Sequence, residues 1–164
     1  MSLTAVQADL SLHHLEIQSS NPESLANFYS KIMDMKINKL SPEKFLCEGP
    51  ARKIIITLGE NKTLSNAGMV CRSENNLNRF REFLDKKELK LKEHNSEFYK
   101  AGSFSVQDPD NNVICFGVLK DSSPSHLKGI HAPLQHLTFA SEDVVSFQNF
   151  YQNKIGFQVT DLSL

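Results

Sequence analysis

The sequence predicts an α+β fold made of paired βαβββ modules, followed by an incomplete third module. Two observations predict the pair: residues 10–60 and 65–120 each carry the pattern of one strand, one helix and three further strands. A third observation predicts the extra module, because LHHLEIQSSNPESLANFY at 12–29 recurs as LQHLTFASEDVVSFQNFY at 134–151. Seven identities fall in residues 14–37 at a constant offset of 122. Such a repeat indicates that one supersecondary unit is used again.

The first module begins with LSLHHLEIQS, whose polar and apolar residues alternate as in a two-faced strand. The segment SNPESLANFYSKIM then predicts a helix, with Asn21 as N-cap, Pro22 at the first helical position and apolar residues at helical spacing. Three extended segments follow: MKINKLS, KFLCEG and RKIIITLGE. They are separated by Pro42 and by Gly49-Pro50, which are typical strand breakers.

The second module repeats this order. AGMVCRS predicts a strand, and ENNLNRFREFLDKKEL predicts an amphipathic helix. EFYKAG, SFSVQ and VICFGVLK predict three strands, with a turn at Asp108–Asn112 because Asp, Pro and Asn favour turn dihedral angles.

The polar segment KDSSPSHLKGIHAP lacks periodicity and predicts a linker. We therefore expect an N-terminal extension, a complete domain, a linker and the first β-α-β of a truncated second domain, at 1–9, 10–120, 121–133 and 134–164 respectively. Apolar residues of that last segment, Phe150 and Ile155 among them, would expose several hundred Å² of apolar surface. Leaving this surface in water loses on the order of ten kcal/mol of favourable burial free energy. Either the chain is a piece of a longer protein, or a neighbouring copy covers 134–164 in a homo-oligomer.

Composition narrows the function classes. The chain has 18 Lys and Arg against 19 Asp and Glu, so no basic field predicts a nucleic-acid or membrane partner. Neither a secretory signal nor a long apolar run is present, which predicts a soluble, cytoplasmic protein. Cys47, Cys71 and Cys115 are isolated, which argues against a zinc ribbon and a disulfide framework.

Five short segments carry a resemblance to a known family: HHLEI, QHLTF, the NFY of both repeats, KIGFQVTD and DPDNNVICF. With them the chain resembles the vicinal oxygen chelate superfamily, which includes glyoxalase I, bleomycin- and fosfomycin-resistance proteins and type I extradiol ring-cleavage dioxygenases. The resemblance implies that paired modules form a curved mixed-sheet cup. It also implies a divalent metal on ligands from the first and last strands.

Carried over by position, the metal ligands of the 10–120 domain would be His14, a residue near Asn66, and Cys115. An open Fe(II) site prefers two imidazoles and a carboxylate, so we expect no metal in this domain. A ligand-poor first domain before a second one resembles two-domain extradiol dioxygenases. By that analogy His136 is the first iron ligand and is preferred to His14, with the remaining ligands and the catalytic residues beyond Leu164.

The resemblance thus implies an extradiol ring-cleavage dioxygenase-like protein of aromatic compound catabolism, in which Fe(II) binds a catecholic substrate and O2. The chain would carry the non-catalytic N-terminal domain and only the start of the catalytic one. One alternative is a metal-free, resistance-type module that binds a small molecule among Phe45, Ile55, Phe104 and Phe116. The other is a glyoxalase-like lyase or isomerase, which would require carboxylate ligands that the sequence does not place.

Overall fold

The computed structural model describes residues 2–120, 127 and 129–159, which belong to two compact units. The first unit comprises Leu12–Gly68 and the described part of 121–137. The second unit comprises the described parts of 1–11, 69–120 and 138–164.

The first unit has the predicted βαβββ order. Strands β1 to β4 are Ser11–Ser19, Lys36–Ser41, Lys44–Glu48 and Lys53–Leu58, helix α1 is Pro22–Met33, and β5, Thr63–Val70, follows. The strand order is β2-β3-β4-β1-β5. Strands β1 and β4 are parallel, whereas β3 is antiparallel to both β2 and β4, so the sheet is mixed as predicted.

Helix α1 begins as its sequence predicts. Asn21 accepts a hydrogen bond from the Ser24 amide at 3.0 Å, and Pro22 occupies the first turn, where a missing N–H costs nothing. The helix buries Ala26 against one face of the sheet, in a core that also contains Met35, Phe45, Cys47, Ile54 and Ile56. The opposite face of the sheet carries the polar side chains described below.

The second unit contains α2, Glu74–Lys86, and strands β6, Lys92–Glu93, β7, Phe104–Gln107, and β8, Val113–Gly117. These strands are antiparallel in the order β8-β7-β6. Phe80 of α2 packs on Phe104 and Phe116, and all three rings are fully buried. The strand predicted at 97–102 is wrong: the segment makes only an isolated bridge from Tyr99 and then turns at Gly102, whose φ is 89°.

The end of the chain departs from the predicted β-α-β. Helix α3, Val144–Asn149, is followed by a π-helical turn at Phe150–Ile155, but the described residues on either side of this helical segment form no strand. An extended segment becomes a strand only where a neighbouring strand takes its backbone hydrogen bonds, and no described strand pairs with residues 134–140. Residues 160–164 of this prediction lie outside the described part.

The N-terminal residues pack against this helical segment inside the second unit. The Ala5 amide donates to the Ile155 carbonyl at 3.2 Å, and the Val6 amide donates to the Gly156 carbonyl at 3.4 Å. Ala5, Phe150 and Ile155 are buried, so the expectation that Phe150 and Ile155 lie exposed is wrong. None of the described helices is both long and apolar enough to span a bilayer.

Candidate functional site

The candidate site is the polar face of the sheet in the first unit. Strand alternation places His14 and Glu16 of β1 on this face, while Ile17 packs against the core under α1. His14 is 1% exposed, and Asn66 of the neighbouring strand β5 is 7% exposed. A buried imidazole and a buried amide therefore lie where the resemblance implies first-strand metal ligands.

The His14 ring meets that of His13. Their Nδ1 atoms are 3.0 Å apart and their ring planes are nearly perpendicular. Strand alternation separates the two Cβ atoms, but the rotatable rings still meet. Burial, and then the charge of Lys53, lower the pKa of His13 to about 4 against the opposing effect of Glu48. With His13 neutral near pH 7, one Nδ1–H can donate to the other Nδ1.

Gly68 of β5 makes room for the His14 ring. A Cβ atom at position 68 would lie 2.0 Å from His14 Cε1 and 2.4 Å from each ring nitrogen. Glycine is the only residue that lets the backbone approach an imidazole this closely. The ring is therefore held between strands as a packed side chain.

Glu16 connects the other polar groups of this face. Its Oε2 accepts a hydrogen bond from Asn66 Nδ2 at 3.0 Å, and its Oε1 lies 3.4 Å from Lys44 Nζ. The Asn66 Oδ1 atom is buried and makes no hydrogen bond within the described residues. The sequence reasoning missed Glu16 and Lys44, although the alternation of His14 and Glu16 along β1 was a signal.

The donors implied by the resemblance do not fit an Fe(II) site. His14 is engaged with His13, Asn66 donates its amide hydrogen to Glu16, and Cys115 of the second unit is a fully buried thiol. Two imidazoles and a carboxylate would be needed, and nowhere in the described ranges do three His, Cys, Asp or Glu side chains come together as metal ligands. No catalytic step is therefore assigned to a metal in residues 10–120.

The other predicted residues have different environments. His136 is exposed and lies outside any described strand, so its assignment as an iron ligand stays a prediction. The four residues of the proposed apolar pocket, Phe45, Ile55, Phe104 and Phe116, are each at most 3% exposed. Two of them pack under α2 in the second unit and Phe45 packs under α1 in the first, so these side chains form cores rather than an open pocket.

One buried polar cluster was not predicted. In the second unit Asp108 is 5% exposed and accepts hydrogen bonds from the backbone amides of Asp110 and Asn112, from Asn112 Nδ2 and from the Tyr151 hydroxyl. Burial, followed by the charge of Asp108, raises the pKa of Tyr151 above its usual range. Tyr151 thereby joins the end of the chain to the β7–β8 turn, a contact 43 residues apart that no local pattern indicates.

No protein-family model and no curated protein matches the sequence. Solved structures do match. A catechol 2,3-dioxygenase aligns with a TM-score of 0.71 and 17% identity over 87% of this chain and 57% of its own. BphC, a halotolerant catechol dioxygenase, aligns with a TM-score of 0.75 and 16% identity over 90% of this chain and 55% of its own. Homoprotocatechuate 2,3-dioxygenase from Brevibacterium fuscum aligns with a TM-score of 0.71 and 14% identity over 91% of this chain and 45% of its own.

This chain spans about half the length of those proteins. Identity below one fifth carries the fold and not the chemistry. The resemblance seen in the sequence is confirmed at that level: the chain has the fold of the vicinal oxygen chelate extradiol dioxygenases.

Proposed function

We propose that this chain carries the non-catalytic N-terminal domain, and the start of the catalytic domain, of an extradiol ring-cleavage dioxygenase-like protein. Two observations support the proposal: the structural similarity to catechol and homoprotocatechuate dioxygenases, and the share of those proteins that the chain spans. The substrate class is a catechol. Bound Fe(II) would bring the catechol oxygens and O2 together.

The observation that carries the non-catalytic role is the state of the two ligand positions in the first unit. The His14 ring is fully buried, packed on Gly68 and paired with His13. The Asn66 amide holds the Glu16 carboxylate. Both side chains are therefore engaged within the sheet, and one imidazole with one neutral amide is not the two imidazoles and carboxylate that an open iron site prefers.

In this proposal His136 is the first iron ligand of the catalytic domain. It stands at the position in the repeat that corresponds to His14, and its side chain is exposed rather than packed. The two histidines thus differ in burial, and His136 is the one whose ring is not already packed within the protein. The remaining ligands would come from residues that follow this chain in the longer protein.

The experiment is iron reconstitution of the gene's full-length product under argon, followed by O2 and a panel of catechols. We expect a yellow ring-fission product, and we expect His136→Ala to abolish both the product and iron uptake measured by mass spectrometry. His14→Gln is the matched control, since it changes the equivalent residue of the first repeat and should leave iron uptake unchanged. Circular dichroism establishes that each variant is folded.

Two results would contradict the proposal. Absence of product from every catechol by an iron-loaded enzyme would exclude the dioxygenase activity. Full iron uptake by His136→Ala together with loss of iron from a folded His14→Gln protein would reverse the assignment of the two domains. A glyoxalase-like activity would appear instead as isomerisation of a hemithioacetal with no O2 consumed.

The proposed homo-oligomer concerns the apolar side chains of α3. Val144 and Val145 are 66% and 78% exposed. A second copy could cover them at little entropic cost because they lie on a formed helix. Light scattering of the chain should then give more than a monomer mass, and a monomer at all concentrations up to the millimolar range would exclude this partner.

A further inference from the structure

The second unit contains a cleft that plays no part in the function proposed above. It lies between the segment that follows α2 and the β7–β8 hairpin, and its volume is about 550 Å³. Small-molecule sites in proteins typically have roughly 300–1,000 Å³. Its lining residues come from 88–92 and 105–113.

Lys92 and Ser105 form a pair of hydrogen-bond donors in this cleft. They are directly opposite each other in the antiparallel pairing of β6 with β7, so their Cβ atoms share one face about 5 Å apart. Ser105 is 7% exposed, and its hydroxyl makes no side-chain hydrogen bond within the described residues. This hydroxyl can therefore donate a hydrogen bond to a ligand oxygen.

The formal charges around the cleft balance, with two ammonium groups and two carboxylates, but these groups differ in the hydrogen bonds they can still make. Lys90 and Lys92 are exposed on its rim, and Glu88 is the opposing carboxylate there. The Asp108 carboxylate also lines the cleft, but four hydrogen-bond donors already hold it, so it cannot receive a ligand. Apart from the exposed Glu88, the charged groups that can still approach a ligand are the two ammonium groups, and they and the Ser105 hydroxyl can donate hydrogen bonds to it.

The cleft also has apolar walls. Leu89 and Val113 line it, and both side chains are half-buried. Inorganic phosphate or sulfate would leave these walls in water, whereas a ligand with a hydrocarbon body would cover them. We propose that this cleft binds a small organic monocarboxylate, with its carboxylate on Lys92 and Ser105 and its apolar body against Leu89 and Val113.

The test uses benzoate as the probe and benzamide as its neutral isostere, titrated into the 15N-labelled chain and followed by backbone amide shifts. Benzoate should give saturable shifts at Leu89, Lys92, Ser105 and Val113, and benzamide should bind at least fivefold more weakly. Lys92→Gln and Ser105→Ala should each weaken benzoate binding about threefold to tenfold. Lys31→Gln, which removes an exposed charge from α1, is the matched control and should not change the affinity.

Three results would overturn the proposal. Absence of saturable shifts in the cleft would exclude the site. Equal affinity for benzoate and benzamide would show that the carboxylate is not recognised. An equal loss with Lys31→Gln would show a general charge effect. Since no iron or catechol is involved, these results are independent of the dioxygenase assay.

Discussion

The packing of His14 on Gly68 makes the structural role of that histidine measurable. In Gly68→Ala, the new methyl carbon would lie 2.0 Å from His14 Cε1. Carbon atoms in contact are normally about 3.5–4.0 Å apart, so the overlap is about 1.5 Å. The ring is 1% exposed and has no solvent to move into, so the strands or the ring must shift.

Overpacking of this kind costs about 1–3 kcal/mol, and the size of the overlap favours the upper end. Replacing a strand glycine by alanine returns about 0.5–1 kcal/mol through the lower entropy of the unfolded chain. The net loss in the free energy of unfolding should therefore be about 2 kcal/mol. For a chain of this size, that lowers Tm by about 4–8 °C.

The assay is urea unfolding followed by circular dichroism, with Gly49→Ala as the matched control. A Cβ atom at position 49 would meet nothing nearer than Arg52 Cγ at 3.4 Å, so this control should be neutral or slightly stabilising. In Gly68→Ala/His14→Ala the clash is absent, and the double variant should lose less stability than the sum of the two single variants. Equal stabilities of the two glycine variants, or strict additivity in the double variant, would refute the proposed packing.

Three further predictions follow from single contacts. Tyr151→Phe removes the hydroxyl that donates to Asp108 and should cost about 1–2 kcal/mol of unfolding free energy in urea titrations. Asn21→Ala removes the cap that accepts from the Ser24 amide and should lower the free energy of unfolding by about 1 kcal/mol. Asn21→Ser should retain most of the stabilisation that the cap provides. Because the folded pKa of His13, about 4, lies below its usual 6.5, the unfolded chain binds the proton first. The contribution of neutral His13 to the free energy of unfolding is therefore complete above about pH 6.5 and is lost as the pH falls toward 4. His13→Gln should reduce this loss of stability at low pH.

Each of these has a result that contradicts it. Unchanged stability of Tyr151→Phe would mean that the end of the chain is not held at the β7–β8 turn. If the Asn21→Ala and Asn21→Ser variants were equally stable, the Asn21 side chain would not stabilise α1 as an N-cap. A stability that falls identically between pH 6.5 and 4 with and without His13 would assign that pH dependence to other groups.

The sequence predicted the site only in part. His14 and Asn66 were identified through the resemblance, and the structure adds that both are buried and that Asn66 donates to Glu16. Glu16 was missed because its significance lies in a contact with Asn66, 50 residues away. The Lys92–Ser105 pair was missed for the same reason, since it depends on the register of two strands.

The sequence by itself determined what depends on neighbouring residues: α1 with its Asn21 cap, the alternation of β1, the 108–112 turn and the repeat that indicated the fold. Tertiary structure decided which extended segments became strands, and residues 97–102 and 134–140 did not. It also decided that N-terminal residues bury Ile155. The reason is physical: helices and turns satisfy their hydrogen bonds locally, whereas strands and buried faces require partners that are distant in the chain.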